Sequence, residues 1–168
     1  MATGYADDFA LQHACADLPP GHGTELQRLM RVLRHGPPFL FCLLDCRDEP
    51  YRERLIDCID GLLPGGPGAR LRLAADAHSD FHAVEAALRE LSAAHRVIHL
   101  TGAELWFDEA RLSAANIRRE ALAREVRCAL LLWATPELIA SVATVAPDLW
   151  SWRAGVFDFS TQVRTPLP

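Results

Sequence analysis

Charged side chains follow directly after an apolar segment in the first half of the chain. Residues 39–44 read "FLFCLL", and Asp45, Arg47 and Asp48 come next. The apolar run predicts a buried strand, and Pro50 predicts that a helix begins immediately after it. Many nucleotide-binding proteins hold phosphate at such a junction, because the free N–H groups of the first helical turn bind anions. The residue types at this junction therefore decide whether phosphate chemistry is available.

The junction lacks the residues that a phosphate-binding loop uses. The segment "LDCRDEPYRE", residues 44–53, contains no glycine, lysine, serine or threonine, and all 17 basic residues of the chain are arginine. A phosphate loop needs small residues that let backbone N–H groups approach the anion, usually with a lysine and a hydroxyl group. Its carboxylates would instead repel a triphosphate. We therefore predict that this junction binds no nucleotide phosphate and that the protein has no cofactor.

An enzymatic alternative stays open at the same end of the predicted sheet. The segment "VIHLTGAE" ends a further apolar run and places Glu104 after it, where nucleotide hydrolases often carry a catalytic glutamate. Together with Asp45, Arg47 and Asp48, Glu104 would form an atypical nucleotide-binding or hydrolytic site. A first-turn acid that favours the helix dipole is the simpler interpretation of Glu104. The alternative predicts that these four side chains converge in a concave pocket.

Histidine and cysteine offer little further chemistry. His78 and His82 are four residues apart, a spacing that can bind zinc on a helix, but no third ligand is evident. We predict no metal site and expect both histidines to be solvated. The five cysteines form no CxxC motif, and Cys46, at a strand end, is the one candidate for reactivity.

Composition limits the class of protein. The chain has 168 residues, half of them hydrophobic, and a formal net charge of −5. These values predict one globular domain and argue against a nucleic-acid partner or a polybasic membrane surface. No apolar run is long enough to span a membrane, and the N-terminus lacks the pattern of a secretory signal. We therefore predict a cytoplasmic protein with neither a nucleic acid nor a membrane as partner.

Strand and helix patterns alternate along the chain. Such alternation predicts an α/β fold of three layers, α/β/α, around a mostly parallel sheet of about five strands. We predict a flexible N-terminal arm at 1–23, a single α/β domain at 24–160 and a C-terminal linker at 161–168. The predicted strands are "PFLFCLL", "ARLRLAA", "RVIHLTG", "CALLLWA" and "GVFDFS".

A second group of residues favours protein contact over chemistry. The segment "NIRREALAREV" carries Asn116, Arg119 and Glu120 on a predicted helix, which is either a solvated face or a docking face. Large aromatic residues contribute most to stability and binding when they are buried. The segment "APDLWSWRAGVFDF" contributes the other three members of the predicted interaction surface, which are Trp150, Trp152 and Arg153.

These two segments also carry a family resemblance. Together with "VIHLTGAELWF" and "CALLLWATPELI", they resemble an N-terminal module of bacterial STAND-type signalling proteins, over about residues 39–159. Such modules often precede tetratricopeptide or other repeats. In active relatives the first strand leads to a Walker A loop, which residues 45–52 do not form. The resemblance thus implies a degenerate, inactive P-loop NTPase-like fold that acts by contact with a protein partner or an adjacent domain, without catalysis, in signalling or antiphage defence.

Overall fold

Five parallel strands form one sheet at the centre of the protein. The computed structural model describes residues 3–161, and its strands are β1 (Leu40–Asp45), β2 (Ala69–Arg72), β3 (Val97–Thr101), β4 (Ala129–Ala134) and β5 (Gly155–Asp158). Their order across the sheet is β2-β3-β4-β1-β5. The two most apolar strands, β1 and β4, are paired with each other at the centre. The predicted five-stranded sheet is confirmed, and every strand pair is parallel.

Helices cover both faces of the sheet. They are α1 (Thr3–Ala16), α2 (His22–His35), α3 (Glu49–Leu62), α4 (Phe81–Ser92), α5 (Ala103–Trp106), α6 (Glu109–Glu125), α7 (Pro136–Val145) and α8 (Pro147–Ser151). Side chains of α1, α2 and α3 pack on one face, and those of α4 to α8 pack on the other. The predicted α/β/α layering is thus confirmed. Caps from Asp80, Asp108 and Thr135 fix where α4, α6 and α7 begin.

The N-terminal segment differs from its prediction. We expected residues 1–23 to form an arm of low order, but α1 occupies Thr3–Ala16 and α2 begins at His22. Leu11, Ala14 and Leu18 are partly buried against the core on the α2 and α3 face. Burial of this apolar stripe stabilises a helix that the composition did not favour. The predicted linker lies, apart from Thr161, outside the described residues.

The order in which the chain adds strands to the sheet changes direction between the neighbouring strands β1 and β4. The helix that follows β1, α3, packs on one face, whereas the helix that follows β4, α7, packs on the opposite face. The loops after these two neighbouring strands therefore diverge. In open α/β sheets, ligands usually bind in the crevice that such a divergence leaves at the carboxyl ends of the strands. This crevice is where the enzymatic alternative has to be examined.

Asp60, His99 and Trp133 form a chain of hydrogen bonds that links α3, β3 and β4, which we call the polar relay. His99 on β3 is fully buried, and its Nε2 donates to Asp60 Oδ1 over 2.8 Å. Trp133 Nε1 donates to His99 Nδ1 over 3.2 Å, so Nδ1 is an acceptor and carries no proton. Burial lowers the pKa of His99, which agrees with a neutral ring. Asp60 Oδ1 also accepts from the backbone N–H of Gly68 over 3.0 Å and so fixes the loop before β2.

No helix within residues 3–161 combines the length and the apolar character that crossing a membrane requires.

Candidate functional site

Local contacts occupy two of the charged groups at the β1–α3 junction. The Asp48 side chain is the N-cap of α3 and accepts from the backbone N–H of Tyr51 over 3.0 Å. It therefore occupies the helix terminus where an anion would otherwise bind. The Arg47 guanidinium forms an ion pair with Glu137 in the first turn of α7. This pair spans the crevice between the loops that follow β1 and β4.

Asp45 lies at the end of β1, where few contacts offset the cost of burying its charged carboxylate. Its Oδ1 is buried and has no hydrogen-bond partner among residues 3–161. Asp158 on β5 lies beside it in the parallel register. Burial, followed by the Asp158 charge, raises the pKa of Asp45, and Arg47 only partly opposes this shift. A carboxylate in this setting costs stability when it ionises.

The substitution Asp45→Asn should raise the midpoint of thermal unfolding at neutral pH. Because the pKa of Asp45 is raised on folding, the native state binds more protons than the unfolded state in the window above the ordinary carboxyl value of 3.8. Wild-type stability therefore falls as pH rises through that window, and the variant removes this loss. Calorimetry across pH should show the gain at pH 7 and its disappearance below the ordinary carboxyl pKa.

Asp48→Asn is the matched control for this prediction. Asparagine and aspartate are about equally good N-caps, so this change three residues away should leave stability nearly unchanged. A destabilising effect of Asp45→Asn at neutral pH would instead show that the ionised carboxylate makes a required contact. That outcome would favour an occupied site at the strand ends.

The four strand-end residues follow two strands that are not adjacent in the sheet. Glu104 lies in α5 after β3, and β4 separates β3 from β1, so two interstrand spacings of about 4.8 Å each divide it from Asp45. The cavities of about 740 and 350 Å³ lie at the opposite ends of the strands, their amino ends, and none of the four side chains lines them. These two cavities therefore give the enzymatic alternative no support.

Cys46, the candidate reactive thiol, is buried beside this junction. Only 2% of the residue is exposed, and burial raises the pKa of its thiol to about 11. The thiolate is the nucleophilic form, so a buried thiol that stays protonated at neutral pH is inert. His78 is also buried, contrary to the expectation that it is solvated, and its Nδ1 accepts from the N–H of Ala74.

The second group of predicted residues does come together. Asn116 on α6 uses both ends of its amide to hold α8: Oδ1 accepts from the Leu149 N–H over 2.9 Å, and Nδ2 donates to Asp148 Oδ2 over 3.2 Å. The amide therefore satisfies a free N–H group in the first turn of α8 and fixes this short helix against α6. Asn116 is thus a positioning residue for the aromatic side chains that follow.

Two arginines lie over the two tryptophans of this region. The Arg119 guanidinium is 5.8 Å from the centre of the Trp152 ring and donates to the Asn116 carbonyl over 2.8 Å. The Arg153 guanidinium is 4.0 Å from the centre of the Trp150 ring and donates to the Trp150 carbonyl over 2.8 Å. These cation–π contacts hold both planar cations in defined orientations.

The predicted interaction residues thus form one patch, which we call the α6–α8 surface: Asn116, Arg119, Glu120, Trp150, Trp152 and Arg153. Trp152 is 41% exposed, whereas Trp150 is partly buried against the core. Glu120 is exposed and lies 3.7 Å from Arg119. Ile117, which the sequence did not single out, is 75% exposed on the same helix. The sequence signal that could have identified it was an apolar residue between polar neighbours.

Metal and family comparisons add no further assignment. Within the part of the chain that the structure describes, no three histidine, cysteine, aspartate or glutamate side chains cluster as metal ligands would. No protein-family model, no curated protein and no solved structure matches the chain.

Proposed function

We propose that this protein is a non-catalytic interaction module that binds a protein partner, or an adjacent domain, through the α6–α8 surface. The single observation that carries the proposal is the exposed Trp152 ring with the Arg119 guanidinium beside it. Tryptophan and arginine are enriched among the residues that dominate binding energy at protein interfaces. An exposed indole next to a fixed cation is suited to such a contact.

The rigidity of this surface supports the proposal. Asn116 fixes α8 on α6, and backbone carbonyls hold the guanidinium groups of Arg119 and Arg153. A surface that is already ordered loses less side-chain entropy when a partner binds. The Arg119 guanidinium also lies 3.5 Å from the Asp148 carboxylate on α8, which further fixes its orientation.

The strand-end geometry gives the enzymatic alternative less support. Asp48 caps α3, Arg47 pairs with Glu137, and Glu104 lies two strands away from Asp45. The resemblance to bacterial STAND-type modules supports a role in a cytoplasmic signalling or defence protein. Under this proposal the protein is inactive as an NTPase and acts by recognition.

The substitution Trp152→Ala should abolish most partner binding while the fold stays intact. Affinity capture from a lysate of the native host would first identify proteins that wild type retains and the variant does not. With a purified partner, we expect the affinity to fall by about 30-fold or more, since a central aromatic residue commonly contributes at least about 2 kcal/mol. Arg153→Ala should weaken the same complex. Both variants should keep a cooperative thermal transition.

Phe9→Ala is the matched control, because Phe9 is 73% exposed on α1, which packs on the opposite face of the sheet. Partner binding should be unchanged in this variant. Equal losses in the Phe9 and Trp152 variants would point to nonspecific hydrophobic capture and count against the proposal. Trp150 is a poorer probe, because its partial burial couples binding to stability.

A further inference from the structure

A cavity among the described residues lies at the amino ends of the strands. It has a volume of about 740 Å³, within the range of natural ligand sites. Its walls come from the end of α2, the loop before β2 and the segments that lead into β3 and β4. The Asp60 carboxylate fixes one wall through the Gly68 N–H. The cavity is therefore built on anchored backbone.

The charge of this cavity is opposite to that of the protein. Arg34, Arg96 and Arg127 line it together with His95, and no aspartate or glutamate is in its walls. Arg34 lies 3.6 Å from Asp8, but the guanidinium groups of Arg96 and Arg127 have no ion pair or hydrogen bond within residues 3–161. In a chain with a net charge of −5, two uncompensated cations in one concavity form a local anion-binding surface.

Arg96 and Arg127 precede the neighbouring strands β3 and β4, and both line this cavity. The Arg96 carbonyl accepts from the N–H of Ala129 over 2.9 Å, so the segments before β3 and β4 are joined next to both arginines. Planar guanidinium groups bind carboxylates in a bidentate manner, with more geometric specificity than an ammonium group provides. Two such groups in one cavity therefore suit a ligand that carries more than one carboxylate.

The cavity continues to the α6–α8 surface. A second cavity of about 350 Å³ shares Pro37, Pro38 and Arg127 with the first and has Trp152 in its wall. The two form one groove, which we call the basic groove, from Arg96 past Arg127 to the exposed indole. A cationic end and an aromatic end in one groove fit a ligand that carries both acidic and apolar groups.

We propose that the basic groove binds an acidic peptide segment of the partner, with carboxylates at Arg96 and Arg127 and an apolar side chain at Trp152. This inference rests on the proposed function and names the chemistry of its partner. Charge complementarity favours a short acidic segment, because a long nucleic acid would extend beyond the groove over a protein whose net charge is −5. An extended peptide also spans the distance to Trp152 that a small anion would leave empty.

A random peptide library, displayed on phage and selected against the full chain, tests this chemistry. Enriched peptides should carry several acidic residues and an apolar one. In fluorescence polarisation, one enriched peptide should bind the Arg96→Glu/Arg127→Glu variant about tenfold or more weakly, and its affinity should fall as salt increases. Arg54→Glu/Arg72→Glu is the matched control: both side chains are exposed, outside the groove, and the net charge change is the same.

The outcomes separate this inference from the proposed function. Enriched peptides without an acidic excess, equal binding to the double variant, or no enrichment would each overturn the basic groove. Loss of peptide binding in Trp152→Ala but not in the double variant would support the α6–α8 surface as the binding site and overturn the role of the two arginines. If both arginines only stabilise the fold, the double variant should lower the unfolding midpoint without changing peptide affinity. The milder Arg96→Gln/Arg127→Gln variant serves if the charge reversal does not fold.

Discussion

Replacing Trp133 with alanine should lower the free energy of unfolding by about 3–5 kcal/mol. Trp133 is fully buried at the centre of the sheet, where its ring lies 6.3 Å from Phe159 and is stacked on His99 at 6.2 Å. Its removal leaves a large cavity and deprives His99 Nδ1 of its donor. Urea unfolding followed by circular dichroism would measure the change.

The exposed tryptophan is the control for this result. Trp152→Ala, at 41% exposure, should change the free energy of unfolding by less than about 1 kcal/mol. The two substitutions remove the same side chain, so the difference reports burial. Equal losses in both variants would mean that Trp152 is a core residue, and the α6–α8 surface would lose its main anchor.

The second large effect concerns the polar relay. Asp60→Ala should cost at least about 2 kcal/mol, because it removes the acceptor of two groups, the His99 Nε2–H and the Gly68 N–H. His99 is fully buried, so its Nε2–H depends on this acceptor in the folded protein. The loop at Gly68 should also loosen, which native-state hydrogen exchange at residues 63–68 would show as reduced protection.

Asp57→Ala is the matched control on the same helix. The Asp57 side chain is 74% exposed and pairs with Arg70 at the surface, where ion pairs contribute about 0–1 kcal/mol. A cost as large as that of Asp60→Ala would show that loss of any acid from α3 is harmful. The relay would then have no special role.

Much of the fold follows from local patterns. The runs that became β1 and β4 are apolar throughout, as strands buried on both faces should be. Asp80, Asp108 and Thr135 have the side chains that cap helices, so these helix starts could be predicted from residue type. The break near Asp108 was likewise predictable, and the structure separates α5 from α6 there.

Other features depend on contacts between distant segments. The apolar stripe of α1 is short and becomes helical through packing on α2 and α3, which no local signal announces. The basic groove combines residues that precede different strands, and only the strand order makes Arg96 and Arg127 neighbours. The α6–α8 surface was predictable in membership, because its residues fall in two segments, but the Asn116 bridge between them required the structure.

Isothermal calorimetry with ATP and GTP in the presence of magnesium tests most directly whether this protein acts by recognition without a nucleotide site at the strand ends. We predict no saturable heat at millimolar nucleotide. Arg47→Glu and Arg96→Glu/Arg127→Glu variants would locate any binding that does occur. A dissociation constant of about 100 µM or tighter that is lost in Arg47→Glu but kept in the double variant would contradict the proposal and show a nucleotide-binding site at the strand ends.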